Sequence, residues 1–291
     1  ARADRLQPGD AVLNCPPTFG MYTFYGATDG IPVREIPRNA DFGVAVDAIA
    51  AVCEADGRPR ILFLASPNNP DGGPLPDDHL ARLLALPLLV VLDEAYVEFG
   101  GPSRAAQVAQ HDNLVVLRTF SKWAGLAGMR IGYGICPPRL AELLLKLKSP
   151  YNVNGPAQAA ALATLLNAQT ALDRVAAIVA ERERIGKALA ASAHLVAYPS
   201  QANYHLCRLQ GVDADRFRPG PDCWRDRPAR GHRRGRRLDR GTPGRWSHRS
   251  RPPSRGIGGW CRAGTNRWGG CQTWIGLAFT GREVRRSSAP R

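Results

Sequence analysis

The sequence predicts an α/β fold, with a mainly parallel sheet sandwiched by helices and a smaller domain after it. Three observations carry this expectation. Between residues 11 and 209, short apolar runs alternate with longer stretches of helical periodicity, the pattern of a parallel sheet covered on both faces. The apolar runs are rich in Val, Ile and Leu and too uniform for a sheet with one wet face. The chain has 291 residues, about twice the ~150 expected of one domain, so a second unit is expected.

Taken in order, strands are expected at 11–15, 31–36, 60–65, 88–92, 113–117 and 130–136. Helices are expected between them at 44–55, 77–85 and 138–148, the second opened by Pro76-Asp77-Asp78. Acidic residues there favour a helix start because they meet its unpaired N–H groups. An Ala-rich region at 155–193 carries an Ala/Leu/Ile stripe and a charged face at 181–187, and predicts one or two long helices. Strands near 195–198 and 203–209 follow. In domains, residues 1–150 are expected to form the large sheet domain and 151–217 the long helix and the start of a small domain.

The character of the chain changes near Phe217. Residues 1–217 hold 20 basic and 21 acidic side chains, net −1, whereas 218–291 hold 19 and 4, net +15; together they give the chain's +14. All 19 basic residues of the second stretch are Arg, and five of the six Trp and 13 of the 30 Gly lie there. Arg, Gly, Pro and Trp are mixed without an apolar face, so no foldable pattern is present. These residues share G/C-rich codons, which points to a reading frame entered out of register near residue 217. The competing reading of this tail is a nucleic-acid surface, with Arg attracting phosphates and Trp stacking on bases, but it contains no recognition motif. The chain opens at Ala1 without Met, close to a strand, and is expected to be a fragment.

Seven Cys, an odd number without Cys-x-x-Cys or Cys/His spacing, suggest neither a metal site nor a disulfide framework. Reduced thiols in a cytoplasmic protein are expected instead. No window approaches the ~18 apolar residues of a membrane span.

Four segments carry chemistry. Ser66-Pro67-Asn68-Asn69-Pro70-Asp71-Gly72-Gly73 follows a strand; it is an ordinary turn cluster by composition, at the strand end where parallel sheets bind ligands. The apolar run Val90-Val91-Leu92 ends in Asp93, with Tyr96 three residues on. Asp93 there suits either a cationic ligand group or a helix N-cap. Residues 116–133 contain Thr119-Phe120-Ser121-Lys122 and, further on, Arg130. Lys122 is the first Lys of the chain, and desolvation in such a loop would make its amine nucleophilic. Two hydroxyls and a guanidinium fork suit a phosphate dianion. The fourth segment, Pro150-Tyr151-Asn152-Val153-Asn154-Gly155-Pro156, introduces the long helical region.

These segments, with Cys15-Pro16-Pro17-Thr18-Phe19-Gly20-Met21-Tyr22 as a fifth, resemble the fold-type I pyridoxal-phosphate aminotransferases, and among them the histidinol-phosphate aminotransferase branch. The resemblance covers residues 6–217 and implies that the small C-terminal domain is incomplete. It implies amino-group transfer between histidinol phosphate and 2-oxoglutarate in histidine biosynthesis, by a cytoplasmic homodimer. It implies Lys122 as the lysine that holds pyridoxal 5'-phosphate and shuttles the proton, and Asp93 as the partner of the ring nitrogen. Asn69 and Tyr96 would hydrogen-bond the ring oxygen, Thr119, Ser121 and Arg130 would hold the phosphate, and Phe19 would stack on the ring where relatives carry Tyr. A phosphothreonine decarboxylase of the same fold and cofactor, and an inactive fragment of the family, are the alternatives. The arginine that clamps the substrate carboxylate has no match: no Arg of 218–291 sits in its motif, and the similar stretch at 275–279 follows Trp274.

Outside these segments, His79, His111, His194 and His205 read as surface or packed histidines. Glu181, Arg182, Glu183 and Arg184 read as a solvated helix face.

Overall fold

The computed structural model describes residues 10–56, 59–210 and 274–278. The frameshift expected near residue 217 lies outside them, except for one short strand. The elements are β1 (Ala11–Asn14), α1 (Met21–Thr28), β2 (Val33–Glu35), α2 (Val46–Asp56), β3 (Pro59–Ala65), α3 (Asp77–Leu84), β4 (Leu89–Asp93) and β5 (Leu114–Thr119). There follow β6 (Gly132–Ile135), α4 (Pro138–Leu147), α5 (Gly155–Leu166), α6 (Ala168–Ala190), β7 (Leu195–Ala197), β8 (Tyr204–Leu209) and β9 (Trp274–Ala278).

Six strands make one sheet in the order β2-β1-β3-β4-β5-β6. The first five run parallel and β6 is antiparallel to β5. The register sets Leu13, Leu62, Val90 and Leu114 side by side across four strands, and each is 0% exposed. Leu64, Leu92 and Val116 form the next row, and both rows pack with Ile49 of α2 and Leu80 and Leu83 of α3. Each such side chain contributes about 2 kcal/mol on leaving water. α3 begins at Asp77 and Asp78 as expected, and turns Leu80, Leu83 and Leu84 inward.

β6 reverses direction because an antiparallel neighbour needs only a loop, not a crossover helix. It pairs so closely with β5 that a Cβ on Gly132 would come within 2.6 Å of the Arg118 carbonyl oxygen. The Ala-rich region resolves into two helices, α5 and α6, parted at Asn167. The Asn167 backbone N–H and side-chain amide both turn back to the Ala163 carbonyl. Helix α1 lies in a stretch where no helix was expected. It buries only Gly26, whose missing side chain admits Val33, so it carries no apolar stripe to read.

β7, β8 and β9 form a second, antiparallel sheet. β9 falls in the tail that lacked a foldable pattern, and pairs with β8 over Trp274–Ala278. One expectation is corrected on α6. Arg182 is not solvated but 6% exposed, and its guanidinium donates to the Phe99 and Ala202 carbonyls at 2.8 and 2.9 Å. The helix packs there between the turn after β4 and the second sheet, and the carbonyls, with the Glu183 carboxylate 2.7 Å from the guanidinium, satisfy a cation that water no longer reaches. His205 is packed against the same point, its Nε2 2.9 Å from the Arg182 carbonyl oxygen. No helix among the described residues is long and apolar enough to cross a membrane.

Candidate functional site

From β1 the chain passes to β2 on one side and returns to β3 on the other. The carboxyl ends of β1 and β3 therefore flank a topological switch point, where open parallel sheets bind ligands. Four of the five segments singled out in the sequence leave the carboxyl ends of β1, β3, β4 and β5, on this one edge.

Asp93 is the last residue of β4. Its Oδ1 accepts the Ala95 N–H at 3.0 Å, and its Oδ2 accepts the Tyr22 hydroxyl at 2.7 Å. Burial pushes the Asp93 carboxyl above its ordinary range, while the Tyr22 and Ala95 hydrogen bonds and the Lys122 charge pull it down. Tyr22 is itself raised, first by burial and then by the Asp93 charge. Its ring stacks on Phe63 at 5.2 Å and meets Phe19 edge-on at 5.7 Å. Phe19, expected to stack on a ring, is 44% exposed at the mouth.

Lys122 stands on the loop after β5 with Nζ 5.3 Å from the centre of the Tyr96 ring, within range of a cation–π contact. The desolvation expected for Lys122 is not found. The residue is exposed, because its loop projects beyond the sheet edge, and the Tyr96 face and the Asp93 charge are its neighbours instead. Thr119 Oγ1 lies 2.9 Å from Ser121 Oγ and accepts the Ser121 N–H at 3.0 Å. Arg130 ends the same loop at φ 55°, exposed, with one N–H on the Ala127 carbonyl at 2.9 Å. The fourth segment also serves this loop: the Asn154 side-chain amide donates to the Met129 carbonyl at 3.4 Å while its oxygen caps α5.

Asn69 is half-buried, and among the described residues its side chain makes no hydrogen bond. Its neighbour Asn68 anchors it. Asn68 is 0% exposed; its Oδ1 accepts the Thr18 hydroxyl at 2.8 Å, and its Nδ2 donates to the Pro17 carbonyl at 3.1 Å and to Asp71. The Asn68 carbonyl accepts the Tyr204 hydroxyl from β8 at 2.7 Å, and the Tyr204 ring meets Tyr96 edge-on at 5.2 Å. Cys15, beside these residues, has its thiol pushed up to about 11 by burial, which leaves it protonated and unreactive at neutral pH.

The structure thus gathers Phe19, Asp93, Tyr96 and Lys122, and sets Thr119, Ser121 and Arg130 as a second group around one loop. Sequence reasoning assigned no part to Tyr22, Asn68 or Tyr204. Tyr22 was within reach, since it lies three residues after Phe19 at helical spacing; Tyr204 arrives from a distant strand and gave no local signal.

Over residues 1–215 the chain matches the family model described as aminotransferase class I and II. It is 50% identical over 213 residues to the histidinol-phosphate aminotransferase of Roseiflexus castenholzii, covering 73% of this chain and 57% of that protein. The chain therefore spans little more than half the length of that curated relative. Among solved structures it is similar to histidinol-phosphate aminotransferase from Sinorhizobium meliloti in complex with pyridoxal-5'-phosphate, with 29% identity and a TM-score of 0.63, over 71% of this chain and 57% of that one. It is also similar to L-threonine-O-3-phosphate decarboxylase from Porphyromonas gingivalis, with 26% identity and a TM-score of 0.60, over 71% of this chain and 62% of that one. With the family model covering most of its length, the chain belongs to the class I and II aminotransferases.

Proposed function

We propose that this chain carries the cofactor-binding part of a histidinol-phosphate aminotransferase, which moves an amino group between histidinol phosphate and 2-oxoglutarate in histidine biosynthesis. The observation that carries this reading is the convergence of the Lys122 amine, the Tyr96 ring and the Asp93 carboxylate at the ends of adjacent parallel strands. The donor set suits pyridoxal phosphate: a half-buried carboxylate for a protonated ring nitrogen, a primary amine, and two adjacent hydroxyls with a guanidinium for a phosphate dianion. When bound, that group supplies an electron sink for the charge left on the substrate's α-carbon.

The chain's own residues do the rest. Asp93 would hold the ring nitrogen protonated, Asn69 and Tyr96 would bond the ring oxygen, and Phe19 would cover one ring face. Thr119, Ser121 and Arg130 would hold the phosphate. Lys122 Nζ would hold the cofactor, and its free amine would take the proton from the substrate's α-carbon. Residues 1–150 make the cofactor domain and 151–217 begin the second domain. Leu143, Leu144, Leu145 and Leu147 on α4, and Leu162, Leu165 and Leu166 on α5, are exposed and support a homodimer. The free thiols of Cys15, Cys53, Cys136 and Cys207 suit a reducing cytoplasm.

The test is an absorbance spectrum of the full chain with added pyridoxal phosphate, then borohydride reduction and peptide mapping. A visible band and a label on Lys122 support the reading; no band, or label spread over Lys146, Lys148 and Lys187, overturns it. The likeness to the phosphothreonine decarboxylase favours a second reading. Glutamate formed from histidinol phosphate and 2-oxoglutarate, against carbon dioxide released from phosphothreonine, separates the two.

A further inference from the structure

We infer that Tyr22 is a positioning residue for Asp93: its phenol orients the carboxylate and lowers its affinity for a proton. This rests on the reading of Asp93 as partner of a cofactor ring nitrogen.

Three observations support it. The Tyr22 hydroxyl donates to Asp93 Oδ2 at 2.7 Å, while the Ala95 N–H takes Oδ1. Both carboxylate oxygens are thus engaged from within the protein, and the group cannot rotate freely about its last bond. The phenol is fixed in turn: its ring stacks on Phe63 with an interplanar angle of 19° and meets Phe19 edge-on. Thirdly, Tyr22 and Phe19 lie three residues apart at the start of α1, so one short segment sets both Phe19 and Asp93.

The chemistry has a definite direction. A phenol donating to a carboxylate stabilises the charged form and draws density from the oxygens. Without it, a buried carboxylate binds a proton more readily. The other groups facing this pair are Lys122 from the loop after β5, Tyr96 from the turn after β4, Tyr204 from β8 and Arg38 from the stretch after β2. Tyr22→Phe alters none of them and keeps the ring contacts with Phe63 and Phe19.

The experiment titrates the Asp93 carboxyl by carbon NMR in the full chain without cofactor, with the signal assigned through Asp93→Asn. Wild type is compared with Tyr22→Phe and with Tyr25→Phe, a change on the exposed face of the same helix. The expected result is an Asp93 midpoint about one pH unit or more higher in Tyr22→Phe, the size of a lost hydrogen bond to a charged group, and unmoved in Tyr25→Phe. Coincident midpoints in all three proteins would overturn the inference, as would equal displacement in both variants. The cofactor reading fails separately: a wild-type chain that takes no label on Lys122 sinks that reading, while a displaced midpoint still supports the role of Tyr22 toward Asp93.

Discussion

Replacing Asn68 by Ala is expected to destabilise the chain far more than an ordinary loop substitution. The magnitude follows from three hydrogen bonds. Thr18 loses its acceptor but is half-buried and can turn to water. The Pro17 carbonyl loses its donor, and Asp71, 5% exposed, keeps the Gly73 N–H at 2.8 Å while losing the Asn68 amide. At about 1 kcal/mol for each neutral bond and about 2 for the bond to a carboxylate, the loss is about 4 kcal/mol. Urea unfolding followed by far-ultraviolet circular dichroism would show it: with a slope of about 3 kcal/mol per molar, the midpoint falls by about 1.3 M. Tyr204→Phe is the control. Its removal leaves the Asn68 carbonyl bonded to the Gly72 N–H at 2.7 Å, so the cost is about 1 kcal/mol. An Asn68→Ala loss no larger than that of Tyr204→Phe would refute the view of Asn68 as the anchor of the loops after β1 and β3.

Lys122→Ala is expected to abolish borohydride-fixed labelling and to lower transamination by about 10²–10⁴-fold, measured by mass spectrometry and glutamate release. Burial raises Asp71 above its ordinary value, with the Asn68 bond and Arg38 opposing. Its contribution to stability is therefore present below the unfolded carboxyl value near ~4 and lost as pH rises through the higher folded value. Asp71→Asn should flatten the fall in unfolding midpoint as pH rises above about 4, and an unchanged slope would count against this. Gly132→Ala forces a Cβ against the Arg118 carbonyl and should lower the urea midpoint by an amount equivalent to about 1–3 kcal/mol.

The sheet was legible because its inner strands are mostly buried, so in β1, β4 and β5 Val, Ile and Leu run without alternation and mark their own ends. The site was legible for a related reason. Strand ends in a parallel sheet point one way, so polar residues directly after apolar runs, such as Asp93 and Thr119, fall on one edge. What failed was information held in neighbours. Arg182 looked solvated because its sequence neighbours are charged, yet the Phe99 and Ala202 carbonyls that bury it lie 83 and 20 residues away. Helix α1 packs through a glycine, and the exposure of Lys122 stayed hidden because a loop's projection leaves no trace in composition.

The links between the two sheets explain why the second sheet's part was hidden. Tyr204 donates to the Asn68 carbonyl, Arg182 to the Phe99 carbonyl, and the Gln201 N–H to the Gly72 carbonyl at 2.8 Å. Each joins the second unit to a loop at the carboxyl edge of the first, and each ends on main chain. A main-chain acceptor is offered by every residue type, so nothing at Asn68, Phe99 or Gly72 announces the contact. Its position, however, is strict: Tyr204 reaches the residue before Asn69 and also meets the Tyr96 ring. A shift of β8 would thus be felt at Asn69 and Tyr96 together, and through the Tyr96 ring at Lys122. The residues that would hold a ring oxygen therefore answer to the second sheet as well as the first, whereas Asp93, which would face the ring nitrogen, is fixed within the first by Tyr22 and the Ala95 N–H.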